Sequence, residues 1–333
     1  MRQVRLGKSG LECSALGLGC MGMSEFYGPQ DDAESLRTLD RAIGLGITMF
    51  DTSDMYGRGH NETLLGQAIR GRRDGLVIAS KFGIRRDPDG PSGSLYDRDL
   101  DNSPAYMRAC CEASLKRLGT ERIDLYYIHR MDMAVPVEET VGALADLVAE
   151  GKIGGIGLSE VPVPILHRAA AVHPIAALQS EYSLWHRDVE DEILPACRAL
   201  DIAFVPYSPL GRGFLTGAIA NTQSLEKNDI RQNSPRFQKE NIDINLRLLD
   251  SVKAVAAARG CTLGQVALAW LWAQGGDIVP IPGTKRIKYL EENAAAEAIT
   301  LLPEDVAAID AAIVGTEFAG SRLWVPEAEG ERK

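Results

Sequence analysis

The sequence predicts an α/β fold, a (β/α)8 TIM barrel preceded by a β-hairpin and carrying extra helices before and after its last units. Three observations predict it. Short apolar runs alternate with amphipathic helical stretches along nearly the whole chain, which calls for parallel strands joined by right-handed crossovers. Eight such runs fall within about 280 residues, a count that suits a closed barrel better than an open sheet. No stretch rich in Pro, Gly or Ser divides the 333 residues, so 1–333 reads as one domain with 316–333 as a C-terminal tail. Length alone would suggest about two domains, but single barrels reach this size.

The elements follow in order. Residues 4–13 make a hairpin that turns at Gly7-Lys8-Ser9-Gly10. The barrel strands are expected at 15–18, 47–50, 76–79, 123–128, 154–158, 176–178, 203–206 and 277–280. Helix 31–45 opens on Asp31-Asp32, where a helix N-terminus favours negative charge, and turns Ala33, Leu36, Leu39, Ala42 and Ile43 to one side. Helix 62–69 follows, then 104–118, with Pro104 in its first turn and Gly119 closing it. In 137–149, Val137, Val141, Leu144 and Val148 share a face. Helices at 164–172, 189–200, 244–258 and 263–274 complete the set. The polar connection 211–241 is too long for routine loop closure and is expected to be functional or mobile. The tail after Gly315 carries isolated large residues (Phe318, Leu323, Trp324) and is expected to fold over the barrel mouth or to fray.

Composition narrows the function. With 45% hydrophobic and 25% charged residues the chain is ordinary for a globular protein. A net charge of −10 and a pI near 5.1 argue against an extended nucleic-acid or anionic-membrane surface. No apolar run approaches the roughly 20 residues a bilayer needs. The opening Met-Arg-Gln-Val-Arg-Leu-Gly-Lys lacks the apolar core of a secretory signal. Six cysteines without C-x-x-C spacing read as reduced thiols in a cytoplasmic protein, and no His/Cys cluster has metal-ligand spacing, so no metal is expected.

One motif misleads. Gly17-Leu18-Gly19-Cys20-Met21-Gly22 matches G-x-G-x-x-G after a strand, yet a dinucleotide fingerprint needs its third Gly at a helix start. Here a loop follows, and the helix begins only near Asp31. The glycines are expected to let the backbone approach a ligand at the barrel mouth.

The chemistry lies elsewhere. Asp51, Lys81 and His129 stand at the ends of the second, third and fourth strands, and Tyr56 lies five residues past Asp51. Barrel enzymes work at the carboxyl ends of their strands. A lone strand-end Asp is usually a turn residue, and a lone His is usually structural. Four such groups on neighbouring strands form a proton-transfer set. A phenol is a poor acid-base group at neutral pH, and a nearby ammonium lowers its pKa. A carboxylate would hold that ammonium charged, and an imidazole would orient a carbonyl.

Around these residues the sequence resembles the aldo-keto reductase superfamily. Matching pieces are Phe50-Asp51-Thr52-Ser53-Asp54-Met55-Tyr56-Gly57, Ser80-Lys81-Phe82-Gly83, Ser114-Leu115-Lys116-Arg117-Leu118-Gly119 and Asp124-Leu125-Tyr126-Tyr127-Ile128-His129. Further on stand Gly155-Ile156-Gly157-Leu158-Ser159, Gln179-Ser180-Glu181-Tyr182-Ser183, Tyr207-Ser208-Pro209-Leu210-Gly211 and Ile281-Pro282-Gly283-Thr284-Lys285, with Glu291-Glu292-Asn293 beyond. The pieces run in order across residues 3–315. The resemblance implies NADPH bound without a Rossmann fold, and a catalytic tetrad of Asp51, Tyr56, Lys81 and His129 with Tyr56 as general acid. It also implies that Ser159 and Gln179 hold the nicotinamide carboxamide and that Tyr207 stacks on the ring. Ser208, Leu210 and Arg212 would line the pyrophosphate; Gly283, Thr284, Lys285 and Arg286 the adenosine phosphate; Glu292 and Asn293 the adenine. Gly19 and Cys20 would offer backbone contacts near the ribose.

Two positions depart from the family pattern. Glu160 stands where many members have Asn, and Tyr289 stands where an Arg is usual, leaving 2′-phosphate recognition to Lys285 and Arg286. The expected partner is a small-molecule carbonyl, with neither nucleic acid nor membrane, in a monomer or homo-oligomer. Tyr27, Phe82, Met131, Trp185, Phe214 and Trp324 are candidate pocket walls. Two other readings stay open: a Schiff-base lyase using Lys81, and a non-catalytic cofactor-sensing subunit, since the chain is also similar to potassium-channel β subunits.

Overall fold

Successive residues of a strand face opposite ways, and here the two faces bury two different cores. The computed structural model describes residues 1–86, 99–219, 223, 225, 226, 229–246, 248–313 and 318–321. Met49, Ala79, Leu125, Tyr127, Ala177 and Val205 pack together inside a ring of strands. Their neighbours Phe50, Ile78, Tyr126, Ile128, Leu178 and Phe204 face outward into a layer of helices. The strands are β1 (Gly17–Gly19), β2 (Met49–Asp51), β3 (Val77–Phe82), β4 (Ile123–Ile128), β5 (Ile153–Ser159), β6 (Ile175–Glu181) and β7 (Ala203–Tyr207). All are parallel, each paired with the next in sequence.

An eighth segment, β8 (277–283), closes the ring through bridges Phe204–Ile278 and Gly19–Gly283. Its Val279 and Ile281 amides donate to the Phe204 and Pro206 carbonyls at 2.9 and 3.0 Å. Toward β1 the ladder is sparse, because Pro280 and Pro282 have no N–H; only their carbonyls serve, accepting from Gly17 and Gly19. A Cβ on Gly17 would meet the Ile281 side chain at 2.7 Å, and one on Gly19 the Ile281 carbonyl at 2.9 Å. At these two positions the glycines serve strand closure, a use the sequence alone does not assign them. The hairpin, Gln3–Arg5 against Glu12–Ser14, sends Val4, Leu6 and Cys13 into the inner core from below.

The helices are α1 (Asp32–Gly44), α2 (His60–Ile69), α3 (Pro104–Leu118), α4 (Val137–Ala149), α5 (Val163–Val172) and α6 (Ile193–Leu200). Asp31 caps α1 by accepting from the Glu34 amide, and Ser103 caps α3 by accepting from Tyr106. Gly119 ends α3 at φ 65°, a left-handed cap. The sixth helix starts at Ile193, not at 189: Pro195 fits a first turn but would clash within a longer helix. After β7 come α7 (Lys239–Asn245), α8 (Leu248–Arg259) and α9 (Leu263–Ala273), and after β8 come α10 (Ile287–Ala295) and α11 (Pro303–Ile313).

The connection after β7 is more structured than its polarity implies. It holds short turns at Gly211–Thr216, Ile230–Asn233 and Pro235–Phe237, and it buries Phe214 and Phe237 against Trp185. Phe82 is likewise buried, stacked on Tyr126, so among the described residues only Tyr27 and Met131 of the expected pocket walls are partly open. Residues 318–321 of the tail return to this region, where Asn245 and the Ala319 backbone exchange two hydrogen bonds of 3.0 Å. Leu323 and Trp324 lie outside the described residues. Among the described residues no single helix is long and apolar enough to cross a membrane.

Candidate active site

The inward rows of the strands end in polar groups. Asp51 follows Met49, Lys81 follows Ala79, His129 follows Tyr127, Gln179 follows Ala177, and Tyr207 follows Val205. Period-two alternation therefore delivers all five to one rim, above the apolar plug. Tyr56 reaches the same rim from a short turn, Tyr56–Gly59, whose Gly57 and Gly59 adopt φ of 56° and 87°.

Lys81 is fully buried, and its ammonium is satisfied three ways. Nζ donates to Asp51 Oδ1 at 2.5 Å, to the Thr52 carbonyl at 2.9 Å and to the Tyr56 hydroxyl at 3.4 Å. Gln179 Nε2 donates to the other Asp51 oxygen at 2.7 Å. A buried ion pair survives desolvation only when its remaining valences are filled, and here they are. The His129 ring meets the Tyr56 ring edge-on, with centroids 5.9 Å apart. The four side chains singled out in the sequence thus stand together at one rim.

Its electrostatics differ from that reading in one respect. Burial works to lower Lys81, but the charge of Asp51 and the bonds to Asp51 and Tyr56 outweigh it, holding the ammonium above its ordinary value. Burial is also the largest influence on Tyr56, and it raises the phenol; Lys81 pulls it down, Asp51 pushes it up and Arg130 adds a weaker downward pull. The net direction is upward. The expected lowering by Lys81 is present but beaten by desolvation, so Tyr56 keeps its proton.

The positions assigned to a cofactor surround the same mouth, with varied engagement. Ser159 ends β5, and its Oγ accepts from Arg130 Nη1 at 3.0 Å. Glu160, at φ 55°, turns its carboxylate back to accept from the Glu181 amide at 2.9 Å. Tyr207 ends β7, partly exposed, and Ser208 and Arg212 carry positive φ beside Leu210 in the following turn. Gly283 pairs with Gly19 across the closure, and Thr284 Oγ1 accepts from the Arg286 amide at 3.1 Å. Lys285 Nζ donates to the Tyr27 and Pro29 carbonyls at 2.8 and 2.6 Å, and burial with the neighbouring Arg286 lowers its pKa. Arg286 is the N-cap of α10 and makes no side-chain cap bond, so the amides of that helix start are uncapped by side chains. Glu292 accepts from Thr262 at 2.8 Å, and Asn293 is buried beside it. Cys20 fits its assignment poorly: its amide donates to Asp51 O at 2.9 Å, its carbonyl accepts from Asn61 at 2.8 Å, and burial pushes its thiol far up. The donor set still suits a dinucleotide phosphate, with amide and hydroxyl groups beside the tetrad and two cations at a helix start.

Sequence reasoning missed three groups. Arg130 bridges the His129 carbonyl at 2.7 Å to Ser159, and its only sequence signal was adjacency to His129. Ser53 and Asp54, read only as part of a motif, hydrogen-bond behind His129. Arg86 grips both oxygens of Glu25 at 2.9 and 3.0 Å and the Met55 carbonyl at 2.8 Å, tying the loop after β1 to the turn bearing Tyr56.

Comparison with known proteins agrees with the barrel fold. The model of the aldo/keto reductase family matches residues 15–314. A probable aldo-keto reductase 1 of Glycine max is 45% identical over 326 residues, covering 97% of this chain and 92% of that protein. A glycerol dehydrogenase of Gluconobacter oxydans superposes with a TM-score of 0.85 at 29% identity, over 94% of this chain and 95% of that one. An aldo/keto reductase of Klebsiella pneumoniae, solved with NADP and acetate, gives a TM-score of 0.72 at 30% identity, over 93% and 95% of the two chains.

Proposed function

The chain belongs to the aldo-keto reductase family of oxidoreductases, and on that premise we propose that it reduces an aldehyde or ketone to the alcohol with NADPH, Tyr56 donating the proton. The observation that carries the reading is the buried ammonium of Lys81, held by Asp51 and set against a phenol that retains its proton. When bound, NADPH supplies the hydride. Tyr56 gives its proton to the carbonyl oxygen as negative charge gathers there, and Lys81 stabilises the phenolate left behind. Asp51 keeps Lys81 charged, and His129 orients the carbonyl. Ser159 and Gln179 would hold the carboxamide, and Tyr207 the face of its ring. Ser208, Leu210 and Arg212 would hold the pyrophosphate, and Lys285 and Arg286 the 2′-phosphate.

Phe26, Met55 and Ile84 pack beside Tyr56, with Met21, Tyr27 and Ile230 at the margin, so the carbonyl's substituent is apolar or aromatic. The Schiff-base alternative lacks support, since a nucleophilic lysine needs a lowered pKa and Lys81 is raised and triply bonded. The test is NADPH oxidation followed by absorbance over a panel of carbonyls, with NADH run in parallel. Tyr56→Phe is expected to abolish turnover while NADPH still quenches protein fluorescence. A folded Tyr56→Phe protein with near-wild-type turnover overturns the assignment.

A further inference from the structure

Ser53 is fully buried, and the valences of its hydroxyl can be counted. Oγ has one proton to give and two lone pairs. One lone pair accepts the Met55 amide at 3.3 Å. The proton and the second lone pair are left for two neighbours, Asp54 Oδ1 at 3.1 Å and His129 Nδ1 at 3.3 Å. Whichever of the two takes the proton forces the other to donate.

We propose that Asp54, acting through the Ser53 hydroxyl, selects which ring nitrogen of His129 carries the proton, and is thus a positioning residue for the reaction. This rests on the reading of the site as a carbonyl reductase. With Asp54 protonated, its O–H donates to Ser53, Ser53 donates to Nδ1, and neutral His129 presents an Nε2–H that can bond a carbonyl oxygen. With Asp54 ionised, Ser53 donates to the carboxylate, Nδ1–H donates to Ser53, and Nε2 is a bare acceptor suited to an alcohol O–H. The two states differ by one proton: as it leaves Nε2, the Ser53 proton moves to Nδ1 and the Asp54 proton moves to Ser53. No other bond changes.

The surroundings of Asp54 make both states reachable. Facing it are Glu62 of α2, Tyr106, Cys110 and Arg117 of α3, and Tyr126 of β4. Arg117 is committed elsewhere, donating to Glu62 Oε2 at 2.6 Å and to Ser114 at 3.2 Å, while Ser80 holds Glu62 Oε1 at 2.5 Å. Tyr106, Cys110 and Tyr126 are all pushed up, chiefly by burial, and stay neutral. Two carboxyls thus share one guanidinium, and Asp54 is the one left poorly compensated. Burial and then the charge of Glu62 raise it to about 7.

The experiment is long-range 1H–15N NMR of the His129 ring in the cofactor-free protein, from slightly acid to slightly alkaline pH. In the wild type the neutral ring is expected to pass from the Nε2–H to the Nδ1–H tautomer with a midpoint near the Asp54 value of about 7. Asp54→Asn should fix the tautomer across the range, and Ser53→Ala should uncouple it from Asp54. In turnover, the reductive kcat/KM of the wild type should fall about tenfold per pH unit above that midpoint, a limb that Asp54→Asn removes. A wild-type tautomer ratio independent of pH, or a transition unchanged in either variant, overturns the proposal. The NMR readout needs no turnover, so it is independent of the Tyr56→Phe result that decides the reductase reading.

Discussion

Replacing Lys81 by Met tests the central pair as a structural element, apart from chemistry. Lys81→Met keeps the length of the side chain but leaves Asp51, whose side chain is only 4% exposed, with Gln179 as its remaining side-chain donor. Breaking a buried ion pair from one side costs about 3–5 kcal/mol, and the Thr52 carbonyl loses its donor as well. Unfolding entropy of about 2.1 cal/mol/K per residue makes ~0.7 kcal/mol/K for 333 residues, so ~4 kcal/mol lowers Tm by about 6 °C. Adding Asp51→Asn removes the stranded charge, and Gln179 can still donate to the new amide oxygen. The double variant should therefore regain about half of the loss, ~2 kcal/mol or ~3 °C. Thermal unfolding of wild type, both single variants and the double variant, by circular dichroism without cofactor, completes the cycle. If Lys81→Met melts within a degree of wild type, or the double variant melts no higher than Lys81→Met, the pair does not carry the strain assigned to it.

The remaining predictions concern other parts of the fold. Asp54 binds its proton more tightly folded than unfolded, so its own contribution to stability is fully present below the unfolded carboxyl value and is lost as pH rises through about 7. The Tm advantage of Asp54→Asn over wild type should grow steadily from pH 5 to pH 8; the same difference at both pH values would contradict the raised value. Lys285→Ala should weaken NADPH binding about tenfold or more and NADH binding far less, read by fluorescence titration, because a charged hydrogen bond to the 2′-phosphate is worth about 1.5–3 kcal/mol. Gly157→Ala puts a Cβ 2.3 Å from the buried Tyr127 ring, so urea denaturation should show a loss of about 1–3 kcal/mol.

Much of this protein could be read from the chain. The period-two runs and the helical stripes between them determine the barrel, because each encodes which face is buried, a local property of the backbone. The strand-end positions of Asp51, Lys81 and His129 followed from the same periodicity, and the ordered motifs of the family covered the rest of the rim. What the chain alone concealed was set by neighbours distant in sequence. Pro280 and Pro282 thin the closing ladder only because β8 lies against β1. The phenol of Tyr56 rises because desolvation, a sum over everything packed around it, exceeds the attraction of one ammonium. Asp54 is raised to about 7 only because folding buries it and places Glu62 beside it, with Arg117 bound to Glu62. Local pattern decides which groups reach the rim; three-dimensional packing decides their charge, because burial and pairing depend on contacts that no single stretch of sequence contains.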